Sequence, residues 1–140
     1  MQFSYTPRIT DYGVTQEPRV PVIFTNPKTG NFILLFCLVD SGASDIILNA
    51  QFAALLGIDL TAAASQEYQG IGDEPFAAYT HPVTIRVQSV SAAFAVPCAF
   101  MPDLRIDGIL GQNGFFDTHK ILFEKYKKRF DITPVVRKKK

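Results

Sequence analysis

The stretch FILLFCLVDSGAS, residues 32–44, constrains this chain more than any other. Apolar residues run unbroken from Phe32 to Val39 and then meet a carboxylate, Asp40, followed by the small residues Ser41, Gly42 and Ala43. The run does not alternate, so it reads as a strand buried on both faces. An isolated buried carboxylate is unfavourable unless it is neutralised, paired or well hydrogen-bonded. The small residues after Asp40 let the backbone turn sharply and let another group approach closely. Ser41 offers a hydroxyl, and the amides of Gly42 and Ala43 can point at the carboxylate. The plain alternative is an Asx-type turn that ends a strand and carries no chemistry.

The rest of the chain narrows the classes. With 140 residues it suits one domain with one modest core. A net charge of +1 gives no steering toward nucleic acid or an anionic membrane, and the terminal RKKK reads as a solvated tail. The apolar run at 32–39 is too short to cross a bilayer. The opening MQFSYTPRITDYG has no basic start followed by an apolar run, so no signal peptide is expected and a cytoplasmic location is. Cys37 and Cys98 lie in apolar stretches and read as two buried thiols, with one disulfide left open. No His or Cys spacing matches a metal site, and no cofactor is expected. His81 and His119 have neither a ligand set nor a nucleophile beside them and read as structural or surface residues.

Strand signals dominate the pattern. RVPVIF (19–24) is apolar and β-branched and is followed by the turn-like TNPKTGN. DIIL continues as a short strand. NAQFAALLG (49–57) predicts the one good helix, capped by Asn49, apolar along Phe52, Leu55 and Leu56, and stopped by Gly57. Residues 66–87 read as two strands joined near GIGDEP, with a further bend near Pro82, and AAFAVPCAFM as another strand. RIDGILGQNGFFDTH predicts a tight, loop-rich segment with one helical turn, and KILFEKYKKRFDI a hairpin. The expected fold is mainly β, a single domain with one or two short helices.

Three motifs together resemble the retropepsin family of aspartic peptidases, the retroviral proteases and their cellular and prokaryotic relatives. LVDSGAS resembles the family's Asp-Thr/Ser-Gly-Ala signature. QGIGDE, from Gln69, resembles its glycine-rich flap tip. GILGQN, from Gly108 to Asn113, resembles its hydrophobic-hydrophobic-Gly motif. Two positions depart together from retroviral members: Ser44 stands where an acid is frequent, and Gln112 where an arginine pairs with it. This suggests one lost interaction and puts a retrovirus-like dimer interface in doubt. Residues 1–18 have no counterpart in a minimal retroviral protease.

The resemblance implies an acid-protease β-barrel acting as a homodimer, with an N-terminal extension at 1–18, the peptidase domain at 19–133 and a basic tail at 134–140. It implies an aspartic endopeptidase that acts on an extended peptide or protein. Asp40 would be catalytic, with Ser41, Gly42 and Ala43 supporting its loop. Gln69, Gly70, Ile71 and Gly72 would form the flap, and Ile109, Leu110 and Gly111 would pack beneath the catalytic loop. Tyr68 and Tyr79 flank the flap. Asp45, Asp107 and Asp117 lack the Ser/Thr-Gly context of a second catalytic acid and read as structural or surface residues. The competing readings are a dimeric peptide-binding module of the same fold that cleaves nothing, and a β-rich domain whose DSG is only a turn.

Overall fold

The computed structural model describes residues 1–69 and 75–135. The strands are β1 (Gln2–Ser4), β2 (Thr6–Thr10), β3 (Gly13–Glu17), β4 (Arg19–Thr25), β5 (Phe32–Val39), β6 (Ile47–Asn49), β7 (Ala64–Gln69), β8 (Pro75–Val87), β9 (Phe94–Met101), β10 (Gly108–Leu110), β11 (His119–Glu124) and β12 (Arg129–Pro134). One sheet runs β4-β5-β10-β6-β9-β8-β7, and β4 also pairs with β8. That extra pairing closes β4, β5, β10, β6, β9 and β8 into a six-stranded barrel, with β7 outside the ring. Closure removes the open edges that invite aggregation.

Alternation builds the barrel interior. Val20, Val22 and Phe24 on β4 are fully buried while their neighbours are half-buried. Val83, Ile85 and Val87 on β8 are buried too, as are Cys98 and Phe100 on β9. Leu110, Phe115, Phe130 and Ile132 complete the core. Cys37 and Cys98 are free and buried, and burial pushes both thiols well above their ordinary range, so neither offers a reactive thiolate.

β5 differs from the expectation of a strand buried on both faces. Leu35, Cys37 and Val39 point inward, but Phe32, Leu34 and Phe36 are exposed. An unbroken apolar run hides the period of two, because both faces carry the same residue class. The expected helix at 49–57 is also shorter than its pattern suggests. Asn49 does cap, accepting from the Gln51 amide, but only a 3₁₀ turn, Ala50–Phe52, follows before a series of turns. A segment this short is marginal as an α-helix. Its Leu56 carbonyl is claimed from outside by Asn26 Nδ2 at 2.8 Å, and Gly57 leaves the helical region at φ +69°. Leu56 is buried as expected, whereas Leu55 is exposed.

The bend expected near Pro82 does not break β8. Instead β8 changes neighbours on one edge, pairing with β7 up to Thr80 and with β4 from Thr84. Pro82 lies opposite Pro97 on β9. Two prolines facing each other have no amides to exchange, so they form a non-hydrogen-bonded pair. The nitrogen of Pro82 therefore faces the other edge, at the gap between β7 and β4, where no donor is needed.

A second sheet, β1-β12-β11, carries the hairpin expected from KILFEKYKKRFDI. β2 and β3 pair only with each other. No helix among the described residues is long and apolar enough to cross a membrane.

His119, at the start of β11, is a buried polar group with a consequence for pH. Its ring stacks on Phe115 at 4.7 Å and lies 5.7 Å from Phe94. Nδ1 lies 2.9 Å from Thr118 Oγ1 and 3.1 Å from the Phe115 carbonyl, and Nε2 has no hydrogen-bond partner among the described residues. Burial holds its pKa below the ordinary value, against smaller opposing contributions from the Phe115 carbonyl and Asp117. The unfolded chain then binds a proton more readily than the native one. Stability is full above the unfolded value of about 6.5 and falls as pH drops below it. Thermal unfolding between about pH 6.5 and 5 should show Tm falling with pH in the wild type, and a flatter profile in His119→Leu. Equal slopes in the two proteins would show that His119 is protonated without penalty.

Candidate active site

β5 and β10 deliver the two ends of the site side by side. They run parallel, with Ile109 opposite Leu38 and Leu110 opposite Val39. The Asp40 amide donates to the Leu110 carbonyl at 3.0 Å, so the barrel ladder extends to the acid itself. Asp40 is half-buried, whereas Ser41 and Gly42 are exposed. The Gly42 amide donates to Asp40 Oδ1 at 2.9 Å. The Ala43 amide, expected to point at the carboxylate, donates instead to the Asp40 carbonyl oxygen at 3.2 Å. The loop thus holds one carboxylate oxygen by a backbone donor and leaves the group facing outward.

The segment after β10 clamps the loop from below. The Gln112 amide donates to the Ala43 carbonyl at 2.9 Å, and the Asn113 amide to the Ser44 carbonyl at 2.8 Å. Gln112 Nε2 reaches the Ser41 carbonyl at 2.6 Å, and Asn113 Nδ2 reaches Asp45 Oδ1 at 3.0 Å. The position read from sequence as a lost ion pair therefore carries a neutral replacement: the Gln112 amide binds the loop's backbone. Asp45 and Asn113 form a second tie that the sequence reading missed. An amide three residues past an Ile-Leu pair was the available signal. It identifies a donor but not the carbonyl that receives it.

Gly111 makes the clamp possible. A Cβ there would fall on the Asp45 carbonyl oxygen and lie 2.7 Å from the Ala43 carbonyl oxygen. Leu110 is fully buried in the barrel core. Ile109 points the other way, into a small apolar cluster with Ile47, Ala78 and Ala99. Ala78 lies on β8, one arm of the hairpin expected to carry the flap. β7 and β8 pair antiparallel up to Gln69 opposite Pro75. Gly70, Ile71 and Gly72 of the expected flap tip lie outside the described residues, as do the side chains of Gln69 and Tyr68. Tyr79, on β8, pairs with Ser65 and Phe100.

Next to this cluster is a cleft of about 510 Å³, lined by Met101, Pro102, Asp103, Leu104, Arg105, Ile106 and Ile109. Ile109 is opposite Leu38, two residues before Asp40, so the apolar cleft and the carboxylate share one side of the barrel. The other acids weighed from sequence are placed elsewhere. Asp45 is held by Asn113, and Asp117 Oδ1 accepts from the Gly114 amide at 3.0 Å. Asp107 lies ahead of β10, where its carbonyl accepts from the Asn49 amide. His81 Nδ1 lies 2.7 Å from the Pro82 carbonyl.

The carboxylate thus stands on a clamped Asp-Ser-Gly loop at the end of a barrel strand. The family model described as aspartyl protease matches residues 36–113, and the chain belongs to that family. Its fold is retropepsin-like. It is similar to the crystal structure of a retropepsin-like aspartic protease from Rickettsia conorii, with a TM-score of 0.63 and 19% identity over 94% of this chain and 98% of that one. It is also similar to the retroviral protease-like domain of Ddi1 from Leishmania major, with a TM-score of 0.51 and 18% identity over 86% of this chain and 94% of that one. No curated protein sequence matches it.

Proposed function

We propose that the chain is an aspartic endopeptidase that works as a homodimer, with Asp40 of each subunit supplying half of a catalytic dyad. The observation that carries this reading is the Asp40 loop. It is clamped through Gln112 and Asn113, it holds the carboxylate by the Gly42 amide, and it leaves Ser41 and Gly42 open to a second molecule. Asp45 and Asp117 are engaged elsewhere, so the second carboxylate comes from a second copy across a two-fold axis.

Two carboxylates about 3 Å apart cannot both ionise, so the pair holds one proton and titrates as a unit. The ionised member takes a proton from water as the water attacks the scissile carbonyl. The protonated member hydrogen-bonds the carbonyl oxygen and gives up its proton as the tetrahedral intermediate forms. The first carboxyl then gives its proton to the amide nitrogen while the second takes one back from a hydroxyl of the intermediate, so the C–N bond breaks, the amine leaves and the pair again holds one proton. Ser41 would hydrogen-bond across the axis, and Gly42 would leave room for water and substrate. The substrate would lie as an extended strand, with alternate side chains in pockets and the cleft at Leu104 and Ile109 taking an apolar one. Residues 69–72 would close over it and exclude water.

The test is cleavage of a mixed peptide library between about pH 3.5 and 7, read by mass spectrometry over a dilution series. Pepstatin-sensitive cleavage is expected, with specific activity falling on dilution because the dyad needs two subunits. Specific activity independent of concentration would overturn the shared dyad. A complete lack of cleavage would favour the binding module. In the same assay Gln112→Leu should lower kcat about tenfold with KM little changed, because the loop loses a backbone anchor while the cleft is intact.

A further inference from the structure

The segment that precedes the barrel is an amphipathic ribbon that nothing among the described residues covers. β2 and β3 are in register with Pro7 opposite Gln16, Ile9 opposite Val14, and Arg8 opposite Thr15. Facing pairs share a side, so Pro7, Ile9, Val14 and Gln16 line one, mostly apolar face, while Thr6, Arg8, Thr15 and Glu17 line the other. The polar face is internally satisfied, with Arg8 on Glu17 at 3.0 Å. The apolar face is bare: Ile9 is 87% exposed and Val14 63%, with Tyr12 fully exposed at the tip. A lone two-stranded ribbon is marginal in water, and alternation this regular is the pattern of a strand pair with one side packed.

Among the described residues, β5 carries a matching uncovered surface. On β5, Phe32, Leu34 and Phe36 point outward at 69%, 50% and 55% exposure. Their cross-strand neighbours on β4 include Pro21 and Ile23, which extend the apolar stripe. The ribbon does not fold back onto it. Its base is fixed at one end by the Tyr5 amide on the Lys128 carbonyl and at the other by the Val39 amide on the Pro18 carbonyl.

We infer that the β2–β3 ribbon is an exchange arm that seats its Ile9–Val14 face on the Phe32–Leu34–Phe36 face of a second copy of this chain. Exchange covers both apolar surfaces of both copies at once. Tyr12 at the tip and Phe32 and Phe36 on the receiving face supply aromatic surface, and exchange buries the arm and the receiving face of each copy together. Charge agrees: Asp11 is at the arm's tip, and the exposed Arg86, opposite Ile23, flanks the receiving face. The inference uses no catalytic step and is independent of the dyad.

The full chain is tested by analytical ultracentrifugation, with Ile9→Lys and Leu34→Lys as separate variants. Both positions are solvent-facing, so both variants fold, which circular dichroism verifies. Wild type should self-associate, and each variant should raise the dissociation constant at least about tenfold. In addition, Ile9→Cys mixed with Leu34→Cys under diamide should give a disulfide-linked pair of chains, while neither alone gives that product. A monomeric wild type, assembly untouched by both lysines, or an Ile9→Cys/Leu34→Cys double variant that cross-links only within one chain would each overturn the inference. The readout is mass, so an inactive but arm-exchanged protein would sink the catalytic reading and leave this one standing.

Discussion

Asp40→Asn should abolish peptide cleavage and leave the fold intact. The substitution is nearly isosteric, and the Asn oxygen can still accept from the Gly42 amide that holds Asp40 Oδ1 at 2.9 Å. The Leu110 carbonyl still receives the backbone amide of residue 40. Stability should stay within about 1 kcal/mol of wild type. What is lost is the ionisable carboxylate that takes a proton from water. The expected fall in kcat/KM is about 10³-fold or more, on the order of 4 kcal/mol of transition-state stabilisation. A mixing experiment sharpens the result. With Asp40→Asn in ninefold excess over wild type, random pairing gives each wild-type subunit a wild-type partner only about one time in ten. Activity should drop to about one-tenth of the unmixed value, because a mixed pair has one carboxylate and no shared proton. Activity unchanged on mixing would place the whole machinery within one chain. Activity unchanged in the variant itself would reduce the Asp-Ser-Gly stretch to a turn.

The turn that follows β5 at Asp40 was legible in the sequence because its residues are contiguous. A carboxylate and three small residues at the end of an apolar run describe both where the strand stops and what it presents. Ile109, Leu110 and Gly111 were legible for the same reason, and the structure assigns them opposite directions, Leu110 to the core and Ile109 to the cleft side. The errors arose where one pattern supports two structures. Residues 32–39 are apolar at every position, so periodicity could not separate a strand buried on both faces from one that presents Phe32, Leu34 and Phe36 outward. Residues 49–57 satisfy helix capping and helix spacing, but Asn26, more than twenty residues upstream, claims the Leu56 carbonyl. No local window contains that bond. At Gln112 the sequence showed an expected arginine missing. Only the folded chain shows that the amide reaches the Ser41 carbonyl in its place.

Gly111→Ala is the substitution with the largest expected effect on stability. The residue has φ −105°, which any side chain tolerates, so the demand for glycine is one of space and not of backbone conformation. The added methyl would meet the carbonyl oxygens of Asp45 and Ala43 and the Asp45 nitrogen, all backbone atoms. A flexible side chain could swing aside, but these atoms are fixed. The Ala43 carbonyl accepts from the Gln112 amide, and Ser44 between them accepts from the Asn113 amide. Relieving the clash means breaking that clamp. The expected loss is about 3 kcal/mol, or roughly 10 °C in Tm for a chain of this size. Gly30→Ala makes the contrast, since nothing lies within 4 Å of its Cβ position and only its φ of +77° resists a side chain. That variant should lose about 1 kcal/mol. Cleavage measured at a temperature where both variants are folded separates the two kinds of damage. Gly30→Ala should keep wild-type activity. Gly111→Ala should lose most of it, because the loop that must be displaced is the one that carries Asp40. Equal Tm values for the two variants would show that the loop yields easily, and that the clamp does not position the acid.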